Sequence, residues 1–94
     1  MNAFFDSLGK RWAKAAERRG VKIEEPKLDP NVAEELLELA RVVAHTAERR
    51  FAPLASDTAG IAVERLREAT AEDPAAIAAF IREVREELER EAPG

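Results

Sequence analysis

The chain has 94 residues and a mass of 10.4 kDa, which is enough for one compact domain and too little for two domains with a cleft between them. Apolar residues make up 46% and charged residues 36%, the composition of a folded protein and not of a disordered tail. The absence of cysteine excludes disulfides and thiolate zinc sites, and the net charge of −4 disfavours general adhesion to nucleic acid. We therefore predict a cytoplasmic protein that does not bind nucleic acid.

The first predicted helix covers residues 2–19. Its apolar side chains recur at spacings of three and four, which is typical of one stripe of an amphipathic helix. That stripe consists of Phe5, Leu8, Trp12 and Ala15. Asn2 is suited to cap the start of the helix, and Gly20 is suited to end it. Charged residues interrupt this segment before it could form a signal peptide, and no apolar run reaches the roughly 20 residues of a membrane span.

Residues 21–30 contain two prolines and two adjacent glutamates, which predicts an extended linker between helices 1 and 2. Within this linker, Val21 and Ile23 are expected to point inward because they are its apolar side chains on alternate positions.

Three further helices are predicted at residues 30–51, 54–71 and 74–91. An Asp-Pro pair opens the first and the last of them, since aspartate offers a capping carboxylate and proline suits the first helical position. Pro53 predicts a break near Phe51 in preference to a kink in one long rod, because proline cannot donate to the carbonyl four residues back. Four helices with short connections predict an all-α fold, a small antiparallel four-helix bundle that forms a single domain over residues 1–94.

The outer face of the fourth helix alternates in charge, which predicts a solvated surface with ion pairs four residues apart. The expected pairs are Arg82 with Glu86, Arg85 with Glu89, and Glu86 with Arg90.

His45 is the only histidine, and on a continuous helix it would share a face with Arg41, Glu48 and Arg49. Because a carboxylate one turn away can orient an imidazole as a general base, a small ligand-binding or catalytic bundle using His45 with Glu48 is one hypothesis. A solvated helix face explains the same residues, and no nucleophile motif or glycine-rich loop accompanies them. We therefore predict no catalytic residue and no enzyme activity.

Metal binding requires several converging ligands, and helical spacing here offers only pairs. Those pairs are Glu34 with Glu38, Glu83 with Glu87, and His45 with Glu48. The sequence therefore predicts no metal and no cofactor, and it identifies no cofactor-binding residue.

Charge is distributed unevenly along the chain. Residues 2–20 carry five cations and two anions, a net +3, whereas residues 64–91 carry five arginines against nine acidic residues, a net −4. The basic, aromatic first helix could dock on a membrane surface or an acidic partner. The favoured alternative is that it packs on the acidic fourth helix of the same molecule or of a second copy.

The stretch Leu39–Val63 carries a recognisable series of short motifs. In order they are Leu39, Ala40, Arg41, Val43, Ala44 and His45, then Glu48 and Arg49, then Ala52, Pro53 and Leu54, then Gly60 and Ala62. This series resembles a family of small bacterial helical domains of unassigned activity, found alone or fused to the molybdenum cofactor guanylyltransferase. The chain departs from that family at Ser56, Asp57 and Thr58, where larger apolar residues are usual, and in its well-formed fourth helix. The resemblance implies an accessory role in molybdopterin cofactor assembly or beside a molybdenum-dependent redox enzyme, and it transfers no catalytic residue.

Together these patterns predict a non-catalytic helical interaction module with a protein partner, able to form a homodimer. The predicted contact surface consists of Arg41, His45, Glu48, Arg49, Arg50 and Pro53.

Overall fold

The computed structural model describes residues 2–70 and 73–91, which form helices and contain no strand. The elements are α1 (Ala3–Arg18), α2 (Pro30–Thr46), a 3-10 turn (Arg49–Phe51), α3 (Ala52–Ala69) and α4 (Pro74–Glu91). The all-α prediction is confirmed for this part of the chain. The chain divides into two compact units, Met1–Pro30 and Asn31–Gly94. The antiparallel bundle and the single domain stay predictions.

The first unit begins with α1, whose two ends are closed as the sequence predicts. The Asn2 side chain accepts a hydrogen bond from the Phe5 amide at 3.1 Å, which satisfies one of the donors left open at a helix start. Gly20 adopts a φ of 79°, and the Val21 amide donates to the Ala16 carbonyl at 3.0 Å. This is the glycine-terminated closure in which a left-handed residue directs the chain away from the helix.

The extended segment 21–29 packs back along α1, with the Pro26 backbone against the buried Gly9. A Cβ atom built at Gly9 would lie 2.5 Å from the Pro26 carbonyl oxygen, so only glycine permits this approach. The prediction that Val21 and Ile23 point inward is wrong, because both side chains are exposed. The contact with α1 is centred on the Pro26 backbone, which leaves those two side chains near solvent.

The second unit is built around an apolar core to which α2, α3 and α4 all contribute. Its buried members are Val32 and Leu39 from α2, Val63 from α3, and Ile77 and Ile81 from α4. Leu36, Val43, Ala59, Phe80 and Leu88 are partly buried against them. Each large aliphatic side chain removed from water contributes about 1.5–3 kcal/mol to stability. The fourth helix faces this core through Ile77 and Ile81.

The break between α2 and α3 differs in position from the prediction. Helix α2 ends at Thr46 instead of near Phe51, and α3 begins at Ala52 with Pro53 in its first turn. Since Pro53 has no amide proton, the Arg49 carbonyl accepts from the Ala52 amide instead, in the pattern of a 3-10 turn. The proline thus starts α3, and the chain leaves α2 before it. Helix α3 ends at Ala69, and residue 71, its predicted last residue, lies outside the described residues.

Helix α4 begins where the sequence predicts, and Glu91 is its last described residue. Its start is fixed by Asp73, whose Oδ1 accepts a hydrogen bond from the Ala76 amide at 2.8 Å while its carbonyl accepts from Ile77 at 3.0 Å. Such a side-chain cap stabilises a helix by about 1 kcal/mol. None of the described helices combines the length and the apolar content needed to cross a bilayer.

Glu35 connects α2 to α4 through two arginines. Its oxygens accept from Arg82 Nε at 3.0 Å and from Arg85 Nη2 at 3.4 Å, and its side chain is only 12% exposed. Of the predicted pairs along α4, Arg85 with Glu89 is present at 2.6 Å. The other two are not found among the described residues, because Arg82 turns to Glu35 and no ion pair engages Glu86.

Arg85 is held as a permanent cation by these contacts. The hydrogen bond that it donates to Glu89, together with the nearby charges of Glu35 and Glu89, raises the pKa of Arg85 above its ordinary value, although burial opposes this. Its Nε is buried and has no hydrogen-bond partner among the described residues. The anions at Glu35 and Glu89 thus compensate an arginine that is largely withdrawn from water.

Candidate functional site

The six residues predicted to form a contact surface are all exposed where α2 ends and α3 begins. Two lie on α2, one lies just before the 3-10 turn, two lie within it, and one lies in the first turn of α3. In that order they are Arg41 and His45, Glu48, Arg49 and Arg50, and Pro53. We call this set the α2–α3 corner.

On α2, hydrogen bonds fix the orientation of Arg41 and His45. The Arg41 guanidinium forms an ion pair with Glu38 at 3.0 Å. His45 Nδ1 lies 2.8 Å from the Arg41 carbonyl oxygen. Because a carbonyl can only accept, Nδ1 carries the proton and Nε2 is the nitrogen left for a partner when the ring is neutral.

The 3-10 turn orders the next part of the corner. Arg50 Nε donates to Glu48 Oε2 at 2.6 Å, and the Arg50 guanidinium carbon lies 5.7 Å from the centre of the Phe51 ring. A guanidinium at this distance from an aromatic centroid is attracted to the ring. Among the residues that the structure describes, Arg49 has no ion-pair partner. Arg49 is thus the cation of the corner whose charge is not compensated locally.

The predicted helical face that pairs His45 with Glu48 and Arg49 is wrong. Helix α2 ends at Thr46, and Glu48 has an extended backbone with φ −128° and ψ 144°. Within residues 2–70 and 73–91 no hydrogen bond or ion pair joins His45 to Glu48, and Glu48 is engaged by Arg50 instead. The carboxylate that was to orient the imidazole therefore stabilises the turn.

The described residues contain no group of three His, Asp or Glu side chains placed to hold a metal ion.

Sequence reasoning missed an apolar groove of about 320 Å³ in the second unit. Its lining consists of Leu39 and Val43 from α2, Ala55, Thr58, Ala59 and Ala62 from α3, and Phe80, Ile81, Val84 and Leu88 from α4. The sequence does contain one indication of this groove, because the side chains that line it from α3 are small and those from α4 are large. Small side chains facing large ones leave space between two helices. No residue of the α2–α3 corner lines the groove.

In the first unit, α1 presents a basic surface and exposed aromatic side chains. The basic surface is formed by Lys10, Arg11, Lys14 and Arg18 together with Ser7. Phe4 is 67% exposed and Trp12 is 58% exposed. The basic and aromatic side chains that the sequence places on the first helix are therefore exposed on α1, and its docking on a partner or a membrane stays a prediction.

Comparison with known protein families matches residues 6–93 to the family described as Domain of unknown function (DUF6457). Because the match spans nearly the whole chain, the chain belongs to this family. Comparison with curated proteins and with solved structures gives no match. A function for the chain therefore has to be argued from its own residues.

Proposed function

We propose that this member of the DUF6457 family is a non-catalytic helical interaction module whose contact surface is the α2–α3 corner. The observation that carries the proposal is the state of Arg49, an exposed arginine that has no ion-pair partner among the described residues and lies on a turn that neighbouring contacts hold in shape. A planar guanidinium of this kind can form bidentate hydrogen bonds to a carboxylate of a partner.

The other residues of the corner support recognition more readily than reaction. Arg50 is fixed between Glu48 and the Phe51 ring, and His45 is oriented by the Arg41 carbonyl. A general base would need a carboxylate or a reacting group within hydrogen-bond reach, and the contacts of His45 and Glu48 are made to other residues. The catalytic hypothesis with His45 and Glu48 is for this reason the weaker one.

For the partner, we propose the molybdenum cofactor guanylyltransferase or a molybdenum-dependent redox enzyme of the same organism. The support is the motif series within Leu39–Val63, several members of which, from Arg41 to Leu54, fall on or beside the corner. We keep a cytoplasmic location, a homodimer and the antiparallel bundle as further predictions from the sequence.

The test is a calorimetric titration of the purified chain into the purified guanylyltransferase. We expect saturable binding, which the double variant Arg41→Ala with Arg49→Ala weakens about tenfold or more, the usual effect of losing two interface arginines. The matched control is Arg67→Ala with Arg90→Ala, which removes the same charge at two exposed positions far along α3 and α4.

Circular dichroism establishes that both double variants keep their helices. Equal affinity of the corner variant and the wild-type chain would overturn the assignment of the surface. Absence of binding to both the guanylyltransferase and the molybdenum enzyme would overturn the proposed partner.

We also propose a second candidate function, docking of α1 on an anionic surface. It is favoured by the exposure of Phe4 and Trp12 on a helix that also presents Lys10, Arg11 and Lys14. Aromatic side chains enter the headgroup region while cations are attracted to anionic lipids. Trp12 fluorescence should therefore shift to shorter wavelength with phosphatidylserine vesicles at low salt and remain unchanged with phosphatidylcholine vesicles. An unchanged spectrum with both would count against membrane docking.

A further inference from the structure

The apolar groove of the second unit has a floor, two walls and an open mouth. Leu39 and Val43 of α2 and the buried Ile81 of α4 form its deep part. Toward the mouth the side chains become exposed, as Val84 on α4 is 43% exposed. The apolar surface is thus continuous from the core to solvent, as in the grooves that accept amphipathic helices.

The α3 edge of the mouth is apolar. Leu54 and Ile61 lie two turns apart beside the lining residue Thr58, and both are exposed. The Thr58 hydroxyl donates to the Ala55 carbonyl at 2.9 Å, so its hydrogen-bonding proton is already used within α3. A partner would therefore meet apolar side chains along this edge from Leu54 to Ile61. The next charged side chain on the edge is Arg65, one helical turn after Ile61.

The α4 edge carries a net negative charge, with three glutamates and Arg90 beside them. Glu83, Glu87 and Glu91 recur every four residues, so they form one row beside Val84 and Leu88 on the helix surface. All three are exposed, and none forms an ion pair with another residue in the part of the chain that the structure describes. The row extends for about 12 Å along α4, eight residues at the helical rise.

We propose that this groove is a docking site for a basic amphipathic helix of a partner protein. Apolar side chains of that helix would fill the space between α3 and α4, and its lysines or arginines, spaced at four residues, would face Glu83, Glu87 and Glu91. This occupant is favoured because its cations would complement the glutamates along one edge of an otherwise apolar groove.

A contact between the grooves of two copies fits less well, whereas docking of the basic α1 of a second copy is an outcome that the light-scattering measurement below distinguishes. In a contact between grooves, the α3 edge of each copy offers Arg65 as a cation against the three glutamates of α4, and both copies carry a net charge of −4. A small apolar ligand would use the floor of the groove and would leave the acidic row without a role.

The test uses the full chain and two synthetic peptides of roughly 14 residues, or four helical turns. One is an amphipathic helix of leucine and lysine, and the other has glutamate in place of every lysine. We expect the basic peptide to bind with an affinity that falls as salt is raised, and the acidic peptide not to bind. Nuclear magnetic resonance shifts of the labelled chain should change at residues that line the groove.

Charge-reversal variants locate the acidic edge. Glu83→Lys with Glu87→Lys should weaken binding of the basic peptide about tenfold or more, since two attractive contacts become repulsive. The matched control is Glu64→Lys with Glu68→Lys, which reverses two charges at exposed positions of α3 that do not line the groove and should change the affinity less than about twofold. Arg41→Ala with Arg49→Ala should leave peptide binding unchanged, so failure at the corner and failure at the groove are distinguishable.

Three results would overturn the proposal. They are equal binding of the two peptides, equal weakening by Glu64→Lys with Glu68→Lys, and shift changes confined to residues outside the groove. Light scattering tests whether a second copy occupies the groove. A dimer that dissociates when the peptide binds would show that a second copy occupies it and would overturn the proposal.

Discussion

Gly9 is the residue whose replacement should have the clearest local effect. Alanine at this position places a Cβ atom 2.5 Å from the Pro26 carbonyl oxygen, a backbone atom that moves only if the segment 21–29 moves. Overpacking of this kind costs about 1–3 kcal/mol, which outweighs the gain of about 1 kcal/mol from replacing glycine inside a helix. We expect Gly9→Ala to release the segment from α1.

Limited trypsin digestion measures that release, since Lys22 and Lys27 lie within the segment. Cleavage at both should be faster in Gly9→Ala than in the wild-type chain. The control is Gly60→Ala in α3, where a Cβ atom meets nothing within 4 Å. Gly60→Ala should raise the free energy of unfolding by about 0.5–1 kcal/mol and leave cleavage at the two lysines unchanged. Unchanged cleavage in Gly9→Ala would contradict the close packing of Pro26 on α1.

Single residues also show how far sequence reasoning reaches. Asn2, Gly20 and Asp73 act on neighbours within about five positions, so their role at helix ends can be predicted from local pattern alone. Gly9 could not be recognised in this way, because its partner Pro26 is 17 positions away and only the folded chain brings the two together.

At the scale of the helices, Glu35 is the main polar connection between α2 and α4. Its largely buried carboxylate compensates Arg85, whose side chain is 17% exposed. Glu35→Ala should lower the free energy of unfolding by about 2 kcal/mol, the usual worth of hydrogen bonds to a charged group. Urea unfolding followed by circular dichroism measures this loss. The neighbouring exposed Glu34 provides the control, and Glu34→Ala should change stability by less than about 0.5 kcal/mol.

The pKa shift of Arg85 gives this connection a defined pH dependence. A cation whose pKa is raised in the folded protein contributes stability that is fully present below its unfolded-state value. That contribution is lost only as the pH rises through the folded-state value, which is strongly alkaline. The difference in stability between the wild-type chain and Arg85→Ala should therefore be the same at pH 7 and at pH 9. A smaller difference at pH 9 would contradict a permanently charged Arg85.

The end of α2 shows why an element can be predicted while its boundary is missed. A helix tolerates the side chains of Ala47, Glu48, Arg49 and Arg50, so the sequence pattern predicted that α2 continues to Phe51. The break comes from Pro53, which denies the Arg49 carbonyl its usual donor and favours a 3-10 turn before α3. Because Glu48 left the helix with this turn, the predicted pairing of His45 with Glu48 failed as well.

At the scale of the molecule, the proposed contact corner and the proposed helix-binding groove both lie on the second unit. The α2–α3 corner presents exposed cations, and the groove presents an apolar surface with an acidic edge. Sequence patterns indicated the corner because its motifs lie close together in the chain. They did not indicate the groove, because its lining comes from three helices and depends on how alanines of α3 face larger side chains of α4.

The central claim, that the α2–α3 corner is the contact surface, is tested most directly by hydrogen–deuterium exchange of the chain alone and in the presence of saturating guanylyltransferase. We predict that binding slows exchange at the amides from Thr46 to Leu54, which include the 3-10 turn. Slower exchange at other segments, with the rate at this turn unchanged, would contradict the claim.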